Sequence, residues 1–290
     1  MGTIGAFLRL TRIEHSAMLV IAVIAAELIS GGLPHSAPVL ALSLITPIFI
    51  SMASFAINDY FDVESDRANK RSDRPITSGE ISMRSALAIS IVCLAVGVIA
   101  SAFINAHAFV IAVIFGALAM LYSYRLKDIL LLGNIYIAFA MAIPFIFGNF
   151  VVTDVLQPSI ITVFFIVFLS GVAREIHGMI RDYHGDAKAR KTRNLLYYMS
   201  KRRAAEIAFI LYLEAILISV FLFFFFEPFR YNAYYLVPLI IGDAMLAYVA
   251  VSCIVKTDQH TYRVTRNVSL VAMGIILLGY LLSPLFLAVV

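Results

Sequence analysis

Asn58, Asp62 and Asp66 stand four residues apart in NDYFDVESD (58–66), with Asp59 beside the first and the apolar run ITPIFISMASFAI directly before them. On a continuing helix this spacing puts the three on one face. Like charges one turn apart repel, more strongly beside a low-dielectric boundary, so something cationic has to compensate. The stretch RANKRSDR that follows could do so as a solvated surface network. Carboxylate and amide oxygens also suit a hard divalent cation such as Mg²⁺, above all one that shares phosphate oxygens with a substrate. A second constellation, REIHGMIRDYHGDAKARKTR (174–193), favours the metal: Asp182 and Asp186 are again four apart, with Arg174, His177 and Arg181 before them and Lys188, Arg190, Lys191 and Arg193 after. Two acid pairs, each trailed by a basic run, make an arrangement for a diphosphate. Carboxylates hold the metal, the metal bridges phosphate oxygens, and Lys and Arg take the remaining charge.

The elements that position these acids are membrane spans. Of the 290 residues 62% are hydrophobic and 14% charged, a balance that excludes an ordinary soluble domain. A bilayer core of about 30 Å asks for about 20 apolar residues per helix. That measure gives nine spans, approximately 14–32, 37–58, 83–104, 107–124, 129–149, 158–177, 204–226, 233–255 and 266–289. Of 22 basic residues, 21 fall in the N-terminal segment or at the connections after spans two, four, six and eight, Arg230 alone lying on the other side. This asymmetry predicts a cytoplasmic N-terminus and cytoplasmic even-numbered connections in a cell-membrane protein. The net charge of +4 then belongs to a basic face beside anionic lipid and calls for no nucleic acid.

Two of those connections are long, roughly 59–82 and 178–203, and carry the acid clusters. They follow spans two and six, as expected of an all-α membrane protein built from two four-helix repeats plus a ninth helix around a central cavity, with the site between repeats. The whole chain, 1–290, reads as one transmembrane domain with these loops as its polar cap. Cys93 and Cys253 lie in apolar runs without Cys-x-x-Cys spacing, which suggests no disulfide or thiolate site. Arg9 and Arg12 precede the first apolar stretch, which leads straight into the next span and reads as a retained helix.

The chain resembles the UbiA superfamily of intramembrane prenyltransferases. Asn58, Asp59, Asp62 and Asp66 match its first signature, Asn-Asp-x-x-Asp-x-x-x-Asp, and DRPITSGEIS (73–82) continues in the family manner. Asp182 and Asp186 match the second Asp-rich stretch. Tyr124 and Lys127 in LYSYRLKD match a Tyr-x-x-Lys after span four. Two departures stand out. Many members carry a third Asp one turn before the second pair, in a Lys-Asp sequence, where this chain has Gly178 and Met179; the second metal site then has fewer protein ligands, or His177 takes part. Near the family's acceptor region, Arg-Pro-x-Asn is replaced by Arg12, Ile13, Glu14 and His15.

The resemblance implies Mg²⁺-dependent transfer of a polyprenyl group from its diphosphate to a lipophilic acceptor within the membrane, with no obligatory protein partner. Asn58, Asp62, Asp182 and Asp186 are then metal ligands. Asp59 and Asp66 are further ligands or catalytic carboxylates beside them, and Tyr124 and Lys127 belong to the catalytic set. Arg67, Lys70, Arg71, Arg74, Lys127 and Arg181 are expected on the diphosphate, and Arg12 and His15 by the acceptor. NDYFDVESD, with Arg-Glu-Ile and Gly-Asp before a Lys-Thr pair, looks most like archaeal-type enzymes that add a second geranylgeranyl chain to a glyceryl phosphate ether. RDYHGD also resembles naphthoate prenyltransferases, so an aromatic or quinone-precursor acceptor is the runner-up. A secondary transporter of an anionic metabolite is the remote alternative; it would show Gly- or Pro-broken spans meeting at the midplane. Glu27, Glu214 and Asp243 fall within spans, where ionisable groups suggest function or a hydrogen-bonded structural role. Asn134 reads as helix-to-helix glue.

Overall fold

Inside hydrocarbon a backbone can satisfy its hydrogen bonds within a single segment only as an α-helix. A computed structural model of the protein, describing residues 3–129, 131–189, 195–256 and 258–286, has ten α-helices and no strand among the described residues. The side chains of Thr3, of residues 182–189 and of Gln259 lie outside the description. The helices are α1 (Thr3–Thr11), α2 (Ile13–Ile29), α3 (Ala37–Ala68), α4 (Met83–Ala102), α5 (Ala106–Tyr124), α6 (Leu132–Val152), α7 (Pro158–Ala189), α8 (Lys201–Phe225), α9 (Ala233–Val255) and α10 (Gln259–Leu285). Eight of them, α3 to α10, are long and apolar enough to cross a membrane. The first expected span is α2, which at 17 residues is shorter than any of those eight.

Local chemistry sets the helix ends. Ser82, Asn105, Ser200 and Asp258 each accept a backbone N–H of the first turn they precede, and Pro38 opens α3 where its missing N–H costs nothing. At about 1.5 Å per residue the 32 residues of α3 reach about 48 Å, well beyond a hydrocarbon core of about 30 Å. The turns carrying Asp59, Asp62 and Asp66 therefore continue the helix past its apolar part, and α7, also 32 residues, does the same.

The chain divides into two compact units, Met1–Val23 with Pro34–Asp128, and Ile24–Leu33 with Ile129–Val290. In the first, α3 packs against α1, α4 and α5. Small residues let α3 and α4 approach: Ser90 Oγ donates to the Ala53 carbonyl at 2.9 Å, and a Cβ on Gly97 would meet the Thr46 carbonyl at 3.1 Å. In the second, α7 packs against α6, α8 and α10, and α9 against α8 and α10. Large apolar side chains such as Ile91, Val92, Val237 and Ile240 are more than half exposed, as lipid-facing positions are. Two polar pairs within spans meet each other: Ser219 Oγ donates to Asp243 at 2.6 Å and Asn134 Nδ2 to Glu175 of α7 at 3.4 Å. Glu27 is fully buried and Glu214 exposed.

Candidate active site

The acid face of α3 is ordered by cations from three other segments of the first unit. Asp59 is 1% exposed, and its Oδ1 accepts from the guanidiniums of both Arg12 and Arg74 at 2.7 Å. Asp62 accepts from Lys127 Nζ at 2.6 Å on Oδ1 and from Asn58 Nδ2 at 2.9 Å on Oδ2. Asp66 Oδ2 lies 3.8 Å from Arg74 Nε. The repulsion expected among acids one turn apart is thus met by two arginines and one lysine.

Each cation is delivered by a local feature. Arg12 occupies the break between α1 and α2 with φ 45°, a left-handed conformation that costs a non-glycine residue energy and persists where contacts hold it. Its side chain spans from Asp59 to the ring of Phe55, 4.8 Å below the guanidinium carbon. Helix α1 is docked by Ala6 and Leu10, buried with Ala56 and Val63 of α3 and with Ile76 and Ile81 of the following loop. Those two isoleucines fasten a loop otherwise rich in charge, and Ile81 N–H donates to the Pro75 carbonyl at 3.0 Å. Arg74 is thereby set at the root of a closed turn. Lys127 sits in a short 3₁₀ turn, Leu126–Asp128, that follows α5.

The other expected residues lie outside this network. Arg71 turns onto Asp73 at 3.0 Å, and that bond holds the Asp73 carboxyl below its usual range. Arg9 does the same to Glu80 at 2.5 Å. Arg67 and Lys70 are exposed. Tyr124 is more than half exposed, its ring against Phe61 at 5.6 Å. His15 packs edge-on to Phe55 at 5.3 Å, so the two acceptor-region residues share one aromatic support. Asp182 and Asp186 lie outside the described side chains. Arg181 lines a cavity of the second unit together with Arg174, His177 and Arg266. Sequence reasoning passed over Arg266, whose one signal is a basic residue two turns into the last helix.

The donors on α3 are hard oxygens, the set Mg²⁺ prefers. One oxygen of Asp62 already holds a cation, the Lys127 ammonium, and Asp59 Oδ2 is buried without a hydrogen bond. Among the described residues no group of three or more His, Cys, Asp or Glu side chains is gathered as a metal site. The residues present fit a metal held jointly by Asn58, Asp62, further carboxylates and a phosphate-bearing substrate.

A membrane-spanning helical fold with a cation-ordered acid cluster at one helix end is that of an intramembrane enzyme of diphosphate chemistry. The sequence model of the UbiA prenyltransferase family matches residues 18–271, and the chain belongs to that family as an integral membrane protein. It is similar to the digeranylgeranylglyceryl phosphate synthase of Archaeoglobus fulgidus, 38% identical over 271 residues that cover 93% of this chain and 92% of that protein. Among solved structures, one described as giving insights into digeranylgeranylglyceryl phosphate synthase in membranes superimposes with TM-score 0.82 at 27% identity, covering 98% of this chain and 99% of its own. A UbiA homolog from Archaeoglobus fulgidus bound to GPP and Mg²⁺ shares the fold, with TM-score 0.66 at 20% identity over 93% and 99% of the two chains.

Proposed function

We propose that this chain transfers a geranylgeranyl group from geranylgeranyl diphosphate to the free hydroxyl of geranylgeranylglyceryl phosphate, with Mg²⁺, in the membrane. The observation that carries the chemistry is the Asp62 carboxylate, held between Asn58 and Lys127 at the end of α3. The acceptor is supported by the relatives' names, since the 38% identity to a digeranylgeranylglyceryl phosphate synthase runs through nearly the whole chain. That a UbiA homolog of the same fold was solved with GPP and Mg²⁺ supports the donor and the metal.

Asn58, Asp62, Asp182 and Asp186, with Asp66 nearby, would hold the Mg²⁺, which would supply Lewis-acid stabilisation to a departing diphosphate. Lys127 and Arg74 stand beside the acids where they neutralise the charge that develops on the leaving group. The bond between prenyl C1 and the diphosphate oxygen breaks, the acceptor oxygen bonds to C1, and the hydroxyl proton is released. Apolar helix walls keep water from the allylic cation. Asp59 is proposed as the residue that positions Arg12 and Arg74, and Arg12 and His15, on Phe55, as the edge of the acceptor region. The remaining organisation is part of the same proposal: a single domain in the cell membrane, α2 as a ninth span, two four-helix repeats, and the N-terminus and acid-bearing loops on the cytoplasmic side. The basic-residue asymmetry and a family match running through both units support it.

The test is Mg²⁺-dependent diphosphate release by the purified protein from geranylgeranyl diphosphate, offered geranylgeranylglyceryl phosphate, 4-hydroxybenzoate and dihydroxynaphthoate in parallel. Turnover with the phosphate ether alone is expected. Turnover only with an aromatic acceptor would move the chain to the quinone-precursor class, and no reaction with any prenyl diphosphate would remove the enzymatic reading. Lys127→Ala is expected to raise KM for the prenyl diphosphate by about 10- to 100-fold, the loss of a charge-assisted hydrogen bond of roughly 1.5–3 kcal/mol, with a smaller change for the acceptor. Equal losses for both substrates would assign Lys127 a structural role.

A further inference from the structure

Helix α1 has three sides, and the fold accounts for two of them. Ala6 and Leu10 are buried with Ala56 and Val63 of α3, and Phe7 packs beside them on Met52, Ala53 and Cys93. Gly5 and Arg9, one turn apart, form a polar side on which the Arg9 guanidinium reaches Glu80 of the loop after α3. Ile4 and Leu8 form the third, about 100° round from the polar one. They are 77% and 41% exposed, and Ile13, which opens α2, is 40% exposed.

The level at which α1 lies says what covers that side. Its contacts on α3 run from Met52 to Val63 and so bracket Asn58, where the apolar run ends and the acids begin. The same clusters take in Ala86 and Ile89 from the first two turns of α4 and Met120 from the last two turns of α5. Helix α1 thus rests across the end of the spans, at the edge of the membrane, and only Arg12 separates it from α2. An apolar side facing away from the bundle at that level meets the boundary between lipid headgroups and acyl chains, and a short helix with apolar and basic sides suits that boundary. In water Ile4 and Leu8 would keep apolar area hydrated that acyl chains can cover. A second copy of the chain is a poorer occupant, because two aliphatic side chains offer a small part of the about 800 Å² per partner that stable association buries.

We propose that the Ile4 and Leu8 side of α1 is seated in this lipid boundary, so that the bilayer helps to hold the helix that carries Arg12 to Asp59. Nine residues are too few for a helix to persist in water by itself, and the left-handed backbone of Arg12 lasts only while its surroundings fix it. Lipid on one side and α3 on another supply that restraint. The membrane surface is then part of what orders the acid cluster.

The chain contains no tryptophan, so Ile4→Trp places a single reporter at an exposed position where the fold does not constrain its size. Gly5→Trp is its control on the polar side, where an added Cβ meets Arg9 Nη1 at an ordinary 3.7 Å. Both are read in phosphatidylcholine nanodiscs holding one copy each. Lipid brominated near the top of the acyl chain should remove most of the Ile4→Trp emission and iodide should remove little, with the reverse for Gly5→Trp. If iodide quenches Ile4→Trp and brominated lipid does not, that side faces water and the proposal fails; shielding from both quenchers would also overturn it. A second arm replaces both side chains, Ile4→Glu with Leu8→Glu, and follows amide hydrogen exchange in the same nanodiscs. Exchange in α1 and at Arg12 should quicken about tenfold or more while α4 and α5 keep their protection, and Ile4→Leu with Leu8→Ile should behave as the parent protein does. Unchanged exchange in the charged double variant would show that lipid does not hold Arg12 in place. Neither arm reads turnover, so failure here leaves the prenyl transfer reading untouched.

Discussion

Asp62→Ala is expected to lower the rate of prenyl transfer by about 10²–10³-fold or more, the scale on which single preorganised electrostatic groups act in catalysis, while the protein remains inserted and folded. Both oxygens of Asp62 are engaged, by Lys127 and by Asn58, so the substitution removes the anion at the centre of the proposed metal seat. Its side chain is 16% exposed, on a different face of α3 from Ala56 and Val63, which pack against α1, and there alanine leaves no large cavity and favours the helix. Asp62→Asn separates charge from shape, because an amide of nearly the same size can still meet Asn58. Both variants should require far more Mg²⁺ for whatever rate remains. Initial rates across a Mg²⁺ titration, with thermal unfolding as the control for folding, decide the point. A variant with a near-normal Mg²⁺-dependent rate would take Asp62 out of the site.

What could be read from the chain follows from where each signal resides. The alignment of Asn58, Asp62 and Asp66 on one face needed only that the second span continue as a helix, and the stretch IFISMASFAI (48–57), which passes without Gly or Pro into NDYFDVESD, says as much. The choice among the four basic residues of the next stretch was not readable. Arg67, Lys70, Arg71 and Arg74 look alike in sequence, and only the burial of Ile76 and Ile81 against α1 and α3 sets Arg74 on the acids while Arg71 turns to Asp73. Arg12 reaches Asp59 from 47 residues away through one left-handed backbone position, a tertiary fact without a local signature. Helix α2 is shorter than the first expected span because the chain turns at Ser30, Gly31 and Gly32, both glycines at positive φ. Arg266 belongs to a cavity assembled from three helices, and no spacing along the chain announces it. Asp243 lacked a partner in sequence because Ser219 lies on another helix, 24 residues earlier.

Asp59→Ala should be the most destabilising of the acidic substitutions, although Asp59 directly follows Asn58, a member of the proposed metal seat. One residue along a helix is a rotation of about 100°, which carries Asp59 from the polar face to a buried position against α1 and the loop. There it is 1% exposed, and one of its oxygens holds two guanidiniums, themselves about a fifth exposed. Removing one member of a buried ionic cluster costs about 3–5 kcal/mol because the partners stay behind uncompensated. Partial exposure of Arg12 and Arg74 lets them relax toward water and places the expected loss near the lower end, about 3 kcal/mol. Arg12→Gln and Arg74→Gln should each cost less, since Asp59 keeps the other arginine, and their effects should fail to add when combined with Asp59→Ala. Thermal unfolding of the singles and doubles in one detergent measures this coupling. If Asp59→Ala unfolds like the parent protein and yet abolishes turnover, Asp59 acts on the metal or the substrate. If stability and rate fall together and Arg12→Gln reproduces part of both, Asp59 is the anchor that ties α1 and the 69–82 loop to the acid face of α3, and the metal seat depends on it only through the residues it holds.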